Sequence, residues 1–294
     1  MTAAWDNYYT PETVPAALQI LERYDGRARV VGGGTDLLVE ARRGLRRPFE
    51  ALVDATRIGG LDTIEEDGDY MVIGCGVTHT AIVSDERIIR FGRCLAESCG
   101  VIGGPQVRNT GTLAGNVAHA LPAGDGTIGL LALGGEIEIA GADGVRWIAT
   151  KDSFEGPGRS IINRHREILT RLRFRKTSAD EGTAHHRVMR PQGLCLPIVS
   201  MAARLRIKGD VITAAGISMG PVGPVPWFAA PAADVLVGEP ATRTQFEKAA
   251  EVALENISLR TSKYRATREY RETMIRTWLP AILTTAAQRA GGHV

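Results

Sequence analysis

The stretch GTLAGNVAHALPAGDG, residues 111–126, decides how the rest of this sequence is interpreted. It shows neither the alternation typical of a strand nor the apolar stripe of an amphipathic helix. Its glycines leave backbone N–H groups accessible, Asn116 offers both a donor and an acceptor, and Asp125 can accept from hydroxyl groups. Such a segment is typical of a loop that contacts a ligand.

A second stretch of this kind, VVGGGTDLL at 30–38, follows a predicted strand. Three consecutive glycines permit positive φ and let backbone N–H groups form a nest for an anion. One glycine-rich turn alone is equally compatible with a tight turn that binds nothing. Two such loops with one Asn and one Asp fit a ligand that carries phosphates and hydroxyls. Neutral N–H groups around a pyrophosphate would explain why no arginine cluster stands beside either loop.

Two familiar phosphate motifs are excluded. The dinucleotide fingerprint G-x-G-x-x-G fails from Gly32, where Leu37 holds the last position, and from Gly74, where His79 does. A Walker loop needs GK[ST], and the sequence lacks this triplet.

Composition is that of a soluble globular protein, with 44% apolar and 23% charged residues in a chain of 294. A net charge of +2 indicates no strong field for nucleic acid or anionic lipid. The first residues lack a secretory pattern, and no apolar run reaches the roughly 18 residues of a membrane span, so we expect a cytoplasmic protein. The four cysteines form no CxxC pair; Cys94 and Cys99 resemble half of an iron–sulfur spacing, but reduced cytosolic thiols are the alternative we favour.

The pattern predicts two domains, at 1–178 and 179–294, with the first divided into subdomains near 1–58 and 59–178. The first domain reads as strands and helices in alternation, and the second as strands followed by helices, an α+β arrangement. The boundary is placed in KTSADEGTAHH at 176–186, where the composition shifts.

Individual elements are predicted from caps and turns. We expect a first helix capped by Thr10 with Pro11 at its first position, and a later helix capped by Ser84. A nearly all-apolar, buried helix is expected at 127–135. Hairpins should turn at Asp143-Gly144 and Gly209-Asp210.

The two loops resemble the FAD-binding medium subunit of the molybdenum hydroxylases, the xanthine dehydrogenase and carbon monoxide dehydrogenase group. GGGTDLL at 32–38 is similar to the family's first flavin loop, and GGPQVRNTGTLAGNVAHALPAGD at 103–125 is similar to its second. REILTRLRF at 166–174 and TREYRETM at 267–274 fit later landmarks. The resemblance implies an α+β fold: a two-subdomain PCMH-type FAD-binding domain followed by a C-terminal α+β domain of the carbon monoxide dehydrogenase flavoprotein type.

The resemblance also implies which residues hold the cofactor. The two loops would enclose the FAD pyrophosphate and flank the isoalloxazine, Asp125 would bind a hydroxyl, and Leu169 would supply an apolar contact. No catalytic residue and no metal ligand is expected in this chain. The implied FAD-binding residues are Val30, Val31, Gly32, Gly33, Gly34, Thr35, Asp36, Leu37, Gly111, Thr112, Leu113, Ala114, Gly115, Asn116, Asp125, Leu169 and Arg187.

The sequence departs from the family pattern at two places. Ala114 replaces the first of a pair of glycines, which is tolerable at negative φ but would cost on the order of 1–3 kcal/mol otherwise. Cys195 stands where the family commonly has Asp. For the first loop we expect a side chain at Gly33 to enter the space of the pyrophosphate.

Several single residues leave two interpretations open. His79 and His119 would need more convergent ligands to bind a metal, so packing or flavin contact is favoured. His185 and His186 either edge the flavin ring or belong to a polar linker. Asp36 either bonds the cofactor or caps its turn. The charged run 259–273 forms either a docking face or a solvated helix with paired charges.

The resemblance further implies partners and a function. The chain would be an oxidoreductase subunit that binds FAD non-covalently and passes electrons from [2Fe-2S] clusters of a small subunit to an external acceptor. A large molybdopterin-binding subunit would complete the complex, as a dimer of heterotrimers. Two alternatives remain: a stand-alone NAD(P)H-dependent flavin reductase with a related fold, like the enolpyruvyl-sugar reductases, and a scaffold protein that has lost its flavin.

Overall fold

A computed structural model describes residues 5–44, 49–190, 196–263 and 265–292. The strands are β1 Asn7–Tyr9, β2 Ala28–Val31, β3 Ala51–Asp54, β4 Ile64–Asp67, β5 Tyr70–Gly74, β6 Glu136–Gly141, β7 Gly144–Ala149, β8 Phe154–Gly156, β9 Arg159–Ser160, β10 Ile168–Arg175, β11 Glu181–Val188, β12 Val199–Lys208, β13 Val211–Gly220 and β14 Trp227–Phe228. The helices are α1 Val14–Tyr24, α2 Leu37–Arg42, α3 His79–Ser84, α4 Glu86–Phe91, α5 Arg93–Gly100, α6 Pro105–Arg108, α7 Leu113–Ala118, α8 Asp125–Ala132, α9 Ala230–Asp234, α10 Arg243–Glu255 and α11 Arg268–Arg289. Among the helices of these residues, none is long and apolar enough to cross a membrane.

A small parallel sheet in the order β1-β3-β2 opens the chain, with α1 packed against it. The expected cap of α1 is wrong: Thr13, not Thr10, accepts a hydrogen bond from the backbone N–H of Ala16. Pro15 then takes the position near the helix start that we had assigned to Pro11. The strand β2 leads directly into the triple glycine, so the sheet edge positions the first loop.

A five-stranded sheet in the order β4-β5-β10-β6-β7 forms the second unit. Its hairpin β6–β7 turns at the predicted place, with Gly144 at φ 109°. The expected cap at Ser84 is wrong, because Ser84 ends α3 and the carboxylate of Asp85 accepts from the N–H groups that open α4. The helix α7 packs against β10, and α5, α7 and α8 contribute many buried residues to the core of this part.

The third unit is a four-stranded sheet in the order β11-β12-β13-β14, packed against α10 and α11. The hairpin β12–β13 turns at Gly209, as predicted. A polar linker at His185 and His186 is wrong, because both lie in β11, which pairs along its whole length with β12 from Glu181 to Val188. Alternating burial along β11 is interrupted by polar residues, which hid the strand in the sequence.

The helix α8 lies between the second and third units and is buried along its whole length. It packs against β12 and β13, where Ser218 Oγ donates to the carbonyl of Ile128 at 2.6 Å. Two glycines of β13 permit this approach: a Cβ on Gly216 would lie 2.4 Å from Ala132 O, and one on Gly220 2.0 Å from Pro122 O. The predicted apolar helix at 127–135 is confirmed, and its partner is the C-terminal sheet.

Candidate functional site

A cavity of about 1090 Å³ is lined by residues from all three units. All but one of the seventeen residues expected to bind FAD line it. The exception is Leu113, which is fully buried and packs in the core of the N-terminal part. Its side chain packs in that core rather than in the cavity wall, so a contact by Leu113 with the cofactor stays a prediction that concerns its backbone.

The first loop and the second loop meet at Gly33. A Cβ at this position would lie 1.9 Å from Thr110 O and 2.7 Å from the Cα of Gly111. The expected reason for this glycine is thus wrong: a side chain here would strike the second loop rather than enter the ligand space. Gly33 is required because it lets the two loops close against one another.

The second loop starts α7, a short helix that the sequence did not predict. Thr112 caps it, because its Oγ1 accepts from the N–H of Gly115 at 3.0 Å. Ala114 lies inside the helix and is not among the residues with positive φ, so its methyl group brings no backbone strain. Asn116 Oδ1 accepts from the N–H and the hydroxyl of Thr127 at 3.0 and 2.9 Å, which ties α7 to α8.

Asp125 and Arg187 form a buried ion pair in the wall of the cavity. Arg187 Nη1 lies 3.0 Å from Asp125 Oδ2, and both side chains are about 5% exposed. Burial raises the pKa of Asp125 to about 6, although the charge of Arg187 opposes this shift. Asp125 Oδ1 and Arg187 Nε are buried without a hydrogen-bond partner. Such atoms are costly to leave unpaired, so this wall is suited to a ligand that supplies hydrogen bonds.

The other titratable groups of the loops occupy different surroundings. His79 is buried in the cavity wall, and burial lowers its pKa to about 4, so it is neutral at pH 7. His119 Nε2 lies 3.7 Å from Glu40 Oε1 and 4.0 Å from Asp36 Oδ1. Asp36 makes no side-chain cap bond to α2, so the capping interpretation is not supported. In the described residues, no group of three His, Cys, Asp or Glu side chains could hold a metal ion.

The cysteines of the described residues are buried and free. Burial raises the pKa of Cys75 and of Cys94 to about 12, which keeps both thiols protonated. Cys94 and Cys99 lie in α5 within the core, where no iron–sulfur ligand set is assembled from described residues. Cys195 lies outside the described residues.

The two adjacent histidines lie on β11, outside the lining of this cavity. His185 Nε2 and Ser200 Oγ are 2.9 Å apart, and burial lowers the pKa of His185 to about 3. The ring of His186 stacks on Trp278 with centroids 3.7 Å apart. Neither histidine is placed at the edge of the proposed flavin site, while their neighbour Arg187 is.

Sequence reasoning missed the arginines of the cavity. Besides Arg187, the cavity is lined by Arg29, Arg164, Arg260, Arg265 and Arg271. The idea that neutral N–H groups alone surround the ligand is therefore incomplete. Three of these side chains come from the charged run 259–273, about 150 residues after the second loop. The only indication of their role in the sequence was that this run overlaps the segment TREYRETM, which resembles the family.

The run 259–273 itself divides into two parts. Arg268 pairs with Glu272 on the surface of α11 at 2.7 Å, as expected of a solvated helix. Arg260, Arg265 and Arg271 instead line the cavity. The solvated-helix interpretation therefore fits Arg268, whereas the cavity position of the other three arginines was foreseen by neither interpretation, and the docking face stays a prediction.

Comparisons with known proteins agree with this geometry. The family model described as the FAD binding domain in molybdopterin dehydrogenase matches residues 3–174. The chain belongs to this family. A second model, the CO dehydrogenase flavoprotein C-terminal domain, matches residues 184–286. The expectation of an FAD-binding medium subunit of the xanthine dehydrogenase and carbon monoxide dehydrogenase group, and of its α+β fold, is confirmed.

Two curated relatives extend over nearly the whole chain. The carbon monoxide dehydrogenase medium chain of Afipia carboxidovorans is 30% identical over 97% of both chains. The nicotine 6-hydroxylase medium subunit of Paenarthrobacter nicotinovorans is 29% identical over 96% of this chain and 97% of its own. Such relatives are named as subunits of dehydrogenases and hydroxylases, so the expectation of an oxidoreductase is confirmed.

Solved structures show the same fold. A Cu,Mo-CO dehydrogenase structure matches with a TM-score of 0.92 at 28% identity, covering 98% of this chain and all of the other. Quinoline 2-oxidoreductase from Pseudomonas putida 86 matches with a TM-score of 0.88 at 26% identity, covering 97% and 98%.

The cofactor of this family is FAD, and the residues present fit it. The glycine loops supply backbone N–H groups, Asp125 Oδ1 is a buried acceptor without a partner, and the cavity is of the size typical of ligand sites. Loops 30–37 and 111–116 would hold the cofactor together with Asp125, Leu169 and Arg187.

Proposed function

We propose that this chain receives electrons from [2Fe-2S] clusters of a small partner subunit and passes them through FAD to an external acceptor. A large molybdopterin-binding subunit would oxidise the organic substrate, in a cytoplasmic dimer of heterotrimers. The division into domains at 1–178 and 179–294 belongs to this proposal. Relatives named medium chain or medium subunit support it, since such names belong to multi-subunit enzymes.

One observation carries the proposal: two glycine loops far apart in sequence line a single cavity, with the Asp125–Arg187 pair in its wall. When bound, FAD supplies an electron store that takes up two electrons and releases them singly or as a pair. The protein's part is to bind and orient. The loops offer N–H groups to phosphates, and Asp125 Oδ1 offers an acceptor to a hydroxyl.

The side chains of the wall also set the charge around the cofactor. Arg187 is fixed by its ion pair with Asp125 and by a hydrogen bond to the carbonyl of Val101. His79 stays neutral at pH 7 because burial lowers its pKa to about 4. The wall thus holds a cation that is balanced by Asp125 and an imidazole that adds no charge.

The test is anaerobic and follows flavin absorbance. The isolated chain, loaded with FAD, is mixed with aldehydes and N-heterocycles and then with a chemical reductant. We expect bleaching by the reductant and none by the organic compounds until the molybdenum and [2Fe-2S] subunits are added. Bleaching by an organic compound without those subunits would contradict the proposal and favour a stand-alone enzyme. A chain purified without any flavin would favour the scaffold alternative.

Non-covalent attachment of FAD is part of the proposal. His79 and His119 line the cavity, so the claim needs a direct test, while burial keeps the thiols of Cys75 and Cys94 protonated and therefore weakly nucleophilic. Acid precipitation should release the flavin into the supernatant. Colour that remains in the pellet would contradict non-covalent binding.

A further inference from the structure

Three arginines of the C-terminal part line the cavity with decreasing exposure. Arg260 is exposed, Arg265 is half-buried, and Arg271 is buried with 4% of its surface exposed. Arg260 and Arg265 precede α11, Arg271 lies in its first turn, and none of the three belongs to the glycine loops. They form a row of positive charge from solvent into the wall, which we call the arginine row.

Among the described residues, no carboxylate lies within ion-pair distance of the arginine row. Arg271 Nη1 donates to the carbonyls of Ile198 at 2.6 Å and Pro221 at 2.9 Å, while its Nε is buried without a partner. Carbonyls orient the guanidinium but leave its charge uncompensated. Burying a charge without a counter-charge is unfavourable, so the arrangement calls for an anion.

The arginines of the row also repel one another. Burial and then the charge of Arg260 lower the pKa of Arg265, and burial followed by the charges of Arg265 and Arg260 lowers that of Arg271. The groups are therefore close enough for their fields to act on each other. A single anion between them would relieve this repulsion at all three positions.

Neighbouring arginines of the same part of the chain behave differently. Arg268 pairs with Glu272, Arg276 with Glu251 and Arg243 with Glu247, each at 2.7 or 2.8 Å. Surface arginines here are thus matched with carboxylates. The arginine row faces a cavity instead and is not matched, which indicates a site rather than a general excess of charge.

We infer that Arg260, Arg265 and Arg271 form a phosphate-binding site of the cavity, distinct from the glycine loops. A phosphate group fits better than a single carboxylate, because it carries up to two charges and more acceptor oxygens for guanidinium groups. The phosphate has two possible sources. It belongs either to the pyrophosphate of FAD, which the arginine row would then contact from the side opposite the glycine loops' N–H groups, or, resting on the proposed function, to a nucleotide that serves as the external acceptor.

The test uses the full chain in three variants. R260Q/R265Q removes two charges of the row, R260K/R265K keeps them, and R243Q/R276Q removes two charges from paired surface arginines as the control. Arg271 is left in place because its carbonyl contacts support the fold. Circular dichroism melting confirms that each variant is folded.

Two titrations distinguish the sources. FAD-loaded protein is titrated with inorganic pyrophosphate by calorimetry, and flavin-stripped protein is titrated with FAD by fluorescence. We expect R260Q/R265Q to weaken one of the two affinities at least tenfold, with R260K/R265K and the control within about threefold of the original protein. Weakened pyrophosphate binding with unchanged FAD affinity assigns the site to an external nucleotide, and weakened FAD binding assigns it to the cofactor.

Unchanged affinities in both titrations would overturn the inference. An equal loss in R243Q/R276Q would also overturn it, because the effect would then be one of total charge. If the chain binds no FAD at all, the proposed function fails. The pyrophosphate titration of the flavin-free chain, compared between R260Q/R265Q and the control, then decides the site independently.

Discussion

At Gly33 the backbone of one loop lies against the backbone of the other, and no side chain fits between them. We expect Gly33→Ala to push the first loop away from Thr110, at a cost on the order of 1–3 kcal/mol as for other overpacked positions. Flavin retention should fall sharply, because both loops line the cavity. The measurement is the ratio of flavin to protein absorbance after gel filtration.

The control is Gly59→Ala. Gly59 is exposed, and a Cβ there would meet only Glu12 O at 3.8 Å, an ordinary contact. Flavin retention of this variant should equal that of the original protein. If Gly33→Ala retains flavin as well as Gly59→Ala does, the close approach of the loops does not control the site.

Asp125 gives the site a pH dependence of defined sign. Its pKa in the folded protein is raised to about 6 by burial, above the ordinary value of 3.8. Between these two values the folded state binds more protons than the unfolded state, so this group lowers stability as pH rises from 4 to 6. The stability of Asp125→Asn minus that of the original protein should therefore rise across this interval and level off above it, whatever its sign at pH 4.

The affinity for FAD should change with pH in the opposite direction to the stability, because of the proposed contact between Asp125 and a hydroxyl of the cofactor. A donor on Oδ1 stabilises the carboxylate, so FAD binding should release a proton and tighten as pH rises through about 6. Fluorescence titrations from pH 5 to 7 should show this trend in the original protein and little of it in Asp125→Asn. An equal slope in both would exclude Asp125 as the contact.

A site residue could be predicted from the sequence only where its neighbours in the chain made it conspicuous. Gly33, Asn116 and Asp125 stand in loops bare enough to be noticed, and the family resemblance added Arg187. Arg260 and Arg265 were missed, because a charged run looks the same on a solvated helix and in a cavity wall. The side chain of Leu113 lies in the core instead of the cavity wall, since consecutive residues of a short helix face different sides.

At the scale of the elements, α1 allows a test of which threonine caps the start of a helix. The sequence contains two candidate helix starts in which a threonine is followed closely by a proline: Thr10 with Pro11, and Thr13 with Pro15. In the structure Thr13 has extended φ and ψ, and its Oγ1 accepts a hydrogen bond from the N–H of Ala16. Thr13→Ala should lower the free energy of unfolding by about 1 kcal/mol, the usual value of such a cap.

Thr10→Ala is the matched control, since Thr10 is exposed and lies outside α1. Chemical denaturation of both variants measures the difference. Equal losses in the two variants, or a larger loss for Thr10→Ala, would contradict the observed cap.

Element prediction succeeded where one signal dominated. The hairpin at Gly209 and the apolar helix α8 were confirmed because turn chemistry or continuous hydrophobicity leaves few alternatives. The strand β11 was missed, because Glu181, His185 and His186 break the alternation; their partners Ser200 and Trp278 come from other elements. Tertiary pairing, not local pattern, makes that segment a strand.

At the scale of the molecule, contacts between the N-terminal part and the C-terminal sheet hold the site together. Arg289 of α11 pairs with Glu97 of α5 at 2.7 Å, and the N–H of Cys94 donates to Thr183 Oγ1 at 3.0 Å. The Asp125–Arg187 pair joins the same two parts within the cavity wall. Local sequence patterns could not predict this interface, because its contacts join residues about 60 to 190 positions apart.

The closest part of this interface is the contact of α8 with β13. A Cβ on Gly216 would lie 2.4 Å from Ala132 O, a backbone atom that cannot turn aside, so α8 and β13 must separate in Gly216→Ala. We expect a loss on the order of 1–3 kcal/mol. For a chain of this size that corresponds to a fall in Tm of several degrees.

The flavin affinity of Gly216→Ala should fall together with its Tm. The reason is that α8 begins at Asp125, whereas its partner Arg187 lies on the sheet that would move away from α8. The control Gly156→Ala places a Cβ in β8 at 3.9 Å from Arg159 Nε, where nothing must move. Calorimetric Tm and FAD titration of the two variants test the argument. If Gly216→Ala lowers Tm but leaves FAD affinity unchanged, the interface stabilises the fold without controlling the geometry of the cavity.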